Sequence, residues 1–391
     1  MKCRSLCCLF LSLALPAFAA GPNKITVAQL TDLLAGLQHA NKTDQDVANR
    51  ISQLELSEEL TLSARNSLAN YLPGPLSTEQ VYILEARSAT LPPAPADTPA
   101  TAAPDAAAQQ ALLAKTQSYA ASYNQLPQIT ATRMTARFQD LNVTPPSSGG
   151  GLASSFGATA DPITVTLAQS ARLTGMKTEE IRFENGADRG PAAKDKTLWG
   201  ANGMVASLND PLSLPTVVQE AIANGNPHFE RWQTIGNHTT AVFSFAVDRK
   251  KTKFQLLYCC FPDSDTVGTT HINSPTSGNL SGNVQNNVQW HNFKASPGYQ
   301  GQLFLDPESG AVIRVITEAH LKPSEFVQYE ATRTDFEPRT IGSKTAYLPI
   351  RTFTLATLVP NGDSKASHVA IRHQFVTEDY KDFQFAASAP K

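Results

Sequence analysis

Gln128 to Leu141 reads QITATRMTARFQDL. Ile129, Ala131, Arg133, Thr135 and Arg137 alternate with Thr130, Thr132, Met134, Ala136 and Phe138. A side-chain period of two belongs to a strand buried on one face, so an antiparallel sheet begins here. Upstream of this point the period is that of a helix, and downstream it returns mostly to two. The order of the two periods predicts an α+β fold, helices first and sheet second.

Upstream, Val27, Leu30, Leu33, Leu34 and Leu37 recur at helical spacing. Thr43 is a candidate N-cap for a second helix carrying Val47, Ile51 and Leu54 on one face. Leu60, Ala64 and Leu68 mark a third helix, which stops at Pro73-Gly74-Pro75. A fourth follows, with Ser77 and Gln80 in the spacing of a capping box. Helices this short are marginal alone, so the four are expected to share one small core over residues 21–90.

Pro92, Pro93, Pro95, Pro99 and Pro104 follow. Proline fixes φ and lacks an amide hydrogen, so residues 91–108 read as a semi-rigid Pro/Ala-rich linker or as an irregular loop lying on a domain. Either way they mark a boundary. The second domain, 109–391, opens with a helix carrying Leu112, Leu113, Thr116 and Tyr119 near one face. Some ten strands come next, with a helical insert at about 200–224 broken by Pro211 and Pro215. A small N-terminal helical domain plus a curled antiparallel half-barrel packed on a helix is the economical architecture. Two hairpins are expected, one tipped by Asp248-Arg249-Lys250-Lys251 and one at the Asp306-Pro307-Glu308-Ser309-Gly310 turn. Residues 263–289 form a long Ser/Asn/Gly-rich insertion.

The chain opens MKCRSLCCLFLSLALPAFAA. Lys2 and Arg4 precede an apolar run from Leu6 to Leu15, then Pro16 and Ala17-Phe18-Ala19. That is the order of a secretory signal peptide over residues 1–20, cleaved near Ala19 or Ala20, and it predicts a periplasmic or secreted protein. Its removal takes two basic and no acidic residues from totals of 32 and 34, leaving a net charge of −4. Such a surface has no long-range attraction for nucleic acid or anionic lipid, and no later apolar run reaches the length of a membrane span. The mature chain of roughly 370 residues exceeds what one compact core usually holds.

No G-x-S-x-G, P-loop, H-E-x-x-H or dinucleotide-binding fingerprint occurs. The eight histidines are dispersed without metal-ligand spacing. The expectation is therefore no catalytic residue, no metal and no cofactor. Leader removal leaves only Cys259 and Cys260, adjacent near the end of a strand and followed by Pro262. Neighbouring Cα atoms are held about 3.8 Å apart, closer than the usual disulfide range of about 4.4–6.8 Å. A vicinal disulfide would thus need distorted backbone. Buried thiols and a redox or metal site are the other two readings, the last without a C-x-x-C or a nearby histidine behind it.

Trp232, Phe243, Phe245, Phe254, Tyr258, Tyr299 and Phe304 fall at alternating positions of consecutive strands. They make one sheet face strongly apolar. That face is either the core beneath the helices or the lining of an apolar cavity for a lipid or other hydrophobic ligand.

LWGANG (198–203), FERWQ (229–233), TAVFSFAV (240–247), KFQLLYCCFP (253–262), YQGQLFLDPESGAVIRVITEA (299–319) and IGSKTAYLPIRT (341–352) follow in order. This series resembles a large uncharacterised family of exported proteins common in acidobacteria. That family has no assigned activity and so implies no catalytic residues. GQLFLDPESGAVIRV (301–315) is similar to a hairpin of periplasmic lipoprotein carriers of the LolA/LppX type. The second resemblance implies a half-barrel enclosing a helix and an apolar cavity that takes a lipid or lipoprotein. The leading expectation is a non-enzymatic carrier of a hydrophobic ligand. The alternative is a cell-envelope interaction or scaffold module, with a partner docking on residues 25–90.

Overall fold

The computed structural model of the chain describes residues 23–126, 128–142, 168–184, 187–191, 214–262, 290–322, 325–341, 344–358 and 372–385. The expected leader, the 263–289 insertion and the first part of the 200–224 insert lie outside the described residues. So do the side chains of Tyr258, Cys259 and Cys260.

The helical unit begins with β1 (Asn23–Ile25), α1 (Val27–His39), α2 (Asp44–Ser52), β2 (Leu54–Leu56), α3 (Leu62–Leu68) and α4 (Pro75–Ser88). Thr43 caps α2 as expected, its hydroxyl accepting from the amide of Asp46. Thr26 and Gln29 form a full capping box at α1. The box expected at Ser77 and Gln80 does not form. Pro75 already occupies the first turn of α4 without an amide hydrogen, and the two side chains are used elsewhere. Ser77 donates to Asp44, and Gln80 donates to the Ala171 carbonyl. Leu30, Leu34, Val47, Ile51, Leu60, Leu68 and Leu84 make the shared core, and β1 and β2 add a short parallel pair. Each such leucine or isoleucine contributes about 1.5–3 kcal/mol on burial.

The second unit runs α5 (Ala106–Ser122), β3 (Ile129–Asn142), β4 (Ala168–Glu184), β5 (Ala187–Pro191), α6 (Leu214–Asn224), β6 (His228–Ile235), β7 (His238–Val247), β8 (Leu256–Pro262), β9 (Trp290–Ala295), β10 (Tyr299–Leu305), β11 (Val312–Ala319), β12 (Val327–Ile341), β13 (Lys344–Leu358) and β14 (Arg372–Phe385). Ten strands form one antiparallel sheet in the order β5-β4-β3-β14-β13-β12-β11-β10-β7-β6, with β5 and β6 at its ends. The Asp306–Gly310 hairpin is present between β10 and β11. Gly310 supplies the positive φ of its turn, and its amide donates to the Asp306 carbonyl. The hairpin expected at Arg249–Lys251 is not present. Both edges of β7 are already taken by β6 and β10, so β8 leaves the sheet and pairs with β9.

The sheet is covered on both faces. Leu112, Leu113, Ala120 and Tyr123 of α5, with Val217, Val218 and Ala221 of α6, pack on one face over β7, β10 and β11. On the other, Ile83, Ala86 and Ala89 at the end of α4 pack on Phe138, Phe353, Leu355 and Phe375. The proline-rich segment lies along this body. Its Pro92 carbonyl accepts from the Glu59 amide, and its Ala102 carbonyl accepts from the Trp232 indole.

Candidate functional site

Antiparallel register places Arg314 of β11 opposite Asp335 of β12, Asp335 opposite Arg351 of β13, and Arg351 opposite Asp379 of β14. One row of the sheet thus alternates cation and anion across four strands. Opposite charges directly across a ladder attract, and here they do so on the face that the helical unit covers. Arg333, two residues before Asp335 on β12, points to the same face.

The helical unit inserts two carboxylates into this row. Glu59, between β2 and α3, pairs with Arg314 at 2.8 Å and with Arg333 at 2.7 Å. Glu85 of α4 pairs with Arg351 at 3.1 Å and with Arg65 of α3 at 2.7 Å. Asp335 pairs with Arg314 at 2.5 Å and with Arg333 at 2.6 Å, and Arg351 binds Asp379. The guanidinium of Arg314 also lies over the Phe304 ring, and that of Arg333 over Phe353. Four arginines and four carboxylates therefore balance in a seam where the Arg314, Arg333 and Glu59 side chains are at most 5 % exposed.

Burial and pairing compete at each group. Burial pushes the Asp335 carboxyl up, but Arg314 and Arg333 outweigh it and hold the group down at about 2. At Glu85 burial wins over the attraction of Arg351 and Arg65, and the carboxyl is raised. A cleft of about 260 Å³ opens at the end of the seam, between Leu62 and Glu85 on one side and Glu337, Arg339, Arg351 and Asp379 on the other. Each of these charged side chains pairs with a neighbour of opposite sign. Such an arrangement ties the helical unit to the sheet. Among the described residues no group of three or more His, Cys, Asp and Glu side chains could hold a metal ion.

The aromatic residues singled out in the sequence divide between the two faces. Phe243, Phe245, Phe254 and Tyr299 are buried together under α5 and α6, with Phe245 edge-on to the Tyr299 ring and Phe254 tilted against it. Trp232 is half-buried at the margin of this cluster, against Phe229. Phe304 lies on the other face, beneath Arg314, because it is one step out of phase with Leu303. At the cysteines the backbone is irregular. Cys259 opposes Asn292 and Phe261 opposes His291, so Cys260 is an extra residue in the register.

The charged row itself did not emerge from sequence patterning. A signal for it exists in VIRVI (312–316), where one arginine interrupts an apolar strand and must find a buried anion. No family model matches the chain, and no curated protein or solved structure matches it significantly.

Proposed function

We propose that this chain is an exported, non-enzymatic interaction module of the cell envelope, in which the helical unit and the sheet act as one rigid platform. The observation that carries this reading is the balanced, buried ion network between the two units. Separating the two units would leave these buried charges without partners, so the seam favours one fixed arrangement of the two. A platform needs a partner face, and the helical unit offers one beside the cleft. Leu62 and Tyr82 are 42 % and 39 % exposed there, and Arg65 lies over the Tyr82 ring. Exposed side chains of this kind, rimmed by charge, suit a protein partner. The expected leader at residues 1–20 would deliver the module to the envelope.

A carrier of a hydrophobic ligand is the second reading. The density of aromatic side chains on β7 and β10 favours it, and the half-barrel of LolA/LppX-type carriers is its template. An apolar ligand on that face would have to displace side chains of α5 or α6.

Photo-crosslinking in the native envelope tests the choice. A photoreactive residue at Leu62 or Tyr82 is expected to give a discrete protein adduct, and one at exposed His238 is not. Loss of that contrast would sink the platform reading. Native mass spectrometry of the same protein reads the alternative, since a carried lipid adds a discrete mass that solvent extraction removes.

A further inference from the structure

Two carboxylates lie five residues apart on β12, on opposite faces of the sheet. Asp335 has two arginines. Glu330 has none. It is completely buried, its Oε1 accepts from the Thr332 hydroxyl at 2.8 Å, and its Oε2 makes no hydrogen bond. Its register partner on β13 is Ala356, which is followed in the row by Gln374 of β14. Thr354 of β13 contacts Thr332 through its hydroxyl. The charged or titratable groups that bear on it among the described residues are Glu318 of β11 and Tyr329 of β12, both on the other face of the sheet, and they can add only negative charge. Leu256 of β8, packed on Ala356, adds none.

An isolated carboxylate in such a place loses its hydration and receives one hydroxyl in return, which is far too little. The neutral acid fits. One oxygen still accepts from Thr332, and the proton removes the repulsion from Glu318. We infer that Glu330 is a built-in pH-sensitive element: the folded sheet accepts it as the neutral acid, and ionising it loosens the β11–β12–β13 region.

Burial and the neighbouring charge set the direction in which the group shifts. Burial first, then Glu318, push this carboxyl from 4.5 up to about 7 against the pull of Thr332. A carboxyl held more tightly protonated in the folded than in the unfolded chain favours folding most below about 4.5. That advantage falls away as the pH rises to about 7, and is constant beyond.

The experiment is denaturant unfolding of the full mature chain at about pH 5.5 and about pH 8.5, for wild type, Glu330→Gln and Glu330→Met. Glu330 alone should lower the folded-to-unfolded ratio about thirtyfold between these conditions, and both variants should lose that component. Variants that keep the full wild-type pH dependence would overturn the inference. Should neither variant fold, infrared spectroscopy of the wild type decides instead. A protonated-carboxyl band that persists above about pH 6 is expected in the wild type and in Glu85→Gln, which removes the raised carboxyl of the buried seam, because exposed carboxyls are ionised by then. Its complete loss below that pH would equally overturn the inference.

Discussion

Arg333 of the sheet and Glu59 of the helical unit lie 2.7 Å apart, in a seam that leaves their side chains 5 % and 3 % exposed. Arg314 approaches the same carboxylate from the next strand at 2.8 Å. One acidic residue outside any helix thus ties α1–α4 to two strands. A buried pair gains little over a well-packed apolar pair, yet removing one member leaves a charge that water cannot reach.

Glu59→Gln should therefore destabilise the protein by about 3 kcal/mol, although Asp335 still faces both arginines. Urea unfolding checks this. A double-mutant cycle with Arg333→Met should return a coupling of at least about 1 kcal/mol. A loss below about 1 kcal/mol would mean that the seam is a passive surface contact.

Asp335 gives the seam an acid limit. Arg314 and Arg333 hold its carboxyl at about 2, below the ordinary 3.8, against the opposing effect of burial. A depressed carboxyl stabilises the fold above its unfolded value, and that contribution is lost as the pH falls toward the folded one. Stability should drop by about 2 kcal/mol between about pH 4 and pH 2 from this group. Asp335→Asn should be weaker at neutral pH and flatter across that window. An acid limb identical to wild type would show that the pairing does not govern acid unfolding.

Periodicity made the helices and most strands legible. Thr43 at α2 and the Asp306–Gly310 turn were readable because their chemistry is local. The partner of β8 was not, since nothing near Arg249–Lys251 records that β6 and β10 already hold both edges of β7. The charged row is hidden for a related reason. Arg314, Asp335, Arg351 and Asp379 are many residues apart, and only antiparallel register brings them side by side. The aromatic alternation was legible, but whether α5 and α6 fill the face it makes depends on packing between distant segments.

That packing makes its own prediction at Phe243, which is completely buried and edge-on to Phe229. Phe243→Ala should cost about 3–5 kcal/mol, the loss for a large side chain removed from a close-packed core. Calorimetry on the purified protein, before and after solvent extraction, is the check. A cost under about 1 kcal/mol would mean that the site is loosely filled, and would favour the carrier reading.

The last prediction concerns the segment between the two units. Proline-rich chain without partners is extended and open to proteases. Here its two ends are tied, Pro92 to the Glu59 amide and Ala102 to the Trp232 indole at 2.8 Å. Phenylalanine keeps most of the contact that Trp232 makes with Phe229 but cannot donate to Ala102. Trp232→Phe should then cost only about 1 kcal/mol globally, the usual net worth of one hydrogen bond. Locally the effect should be larger, with limited proteolysis cutting near Ala102 several times faster than in wild type, because the open state governs cleavage. Equal cleavage rates would mean that the Pro92 tie and the short turn at Pro95–Asp97 hold the segment without the indole.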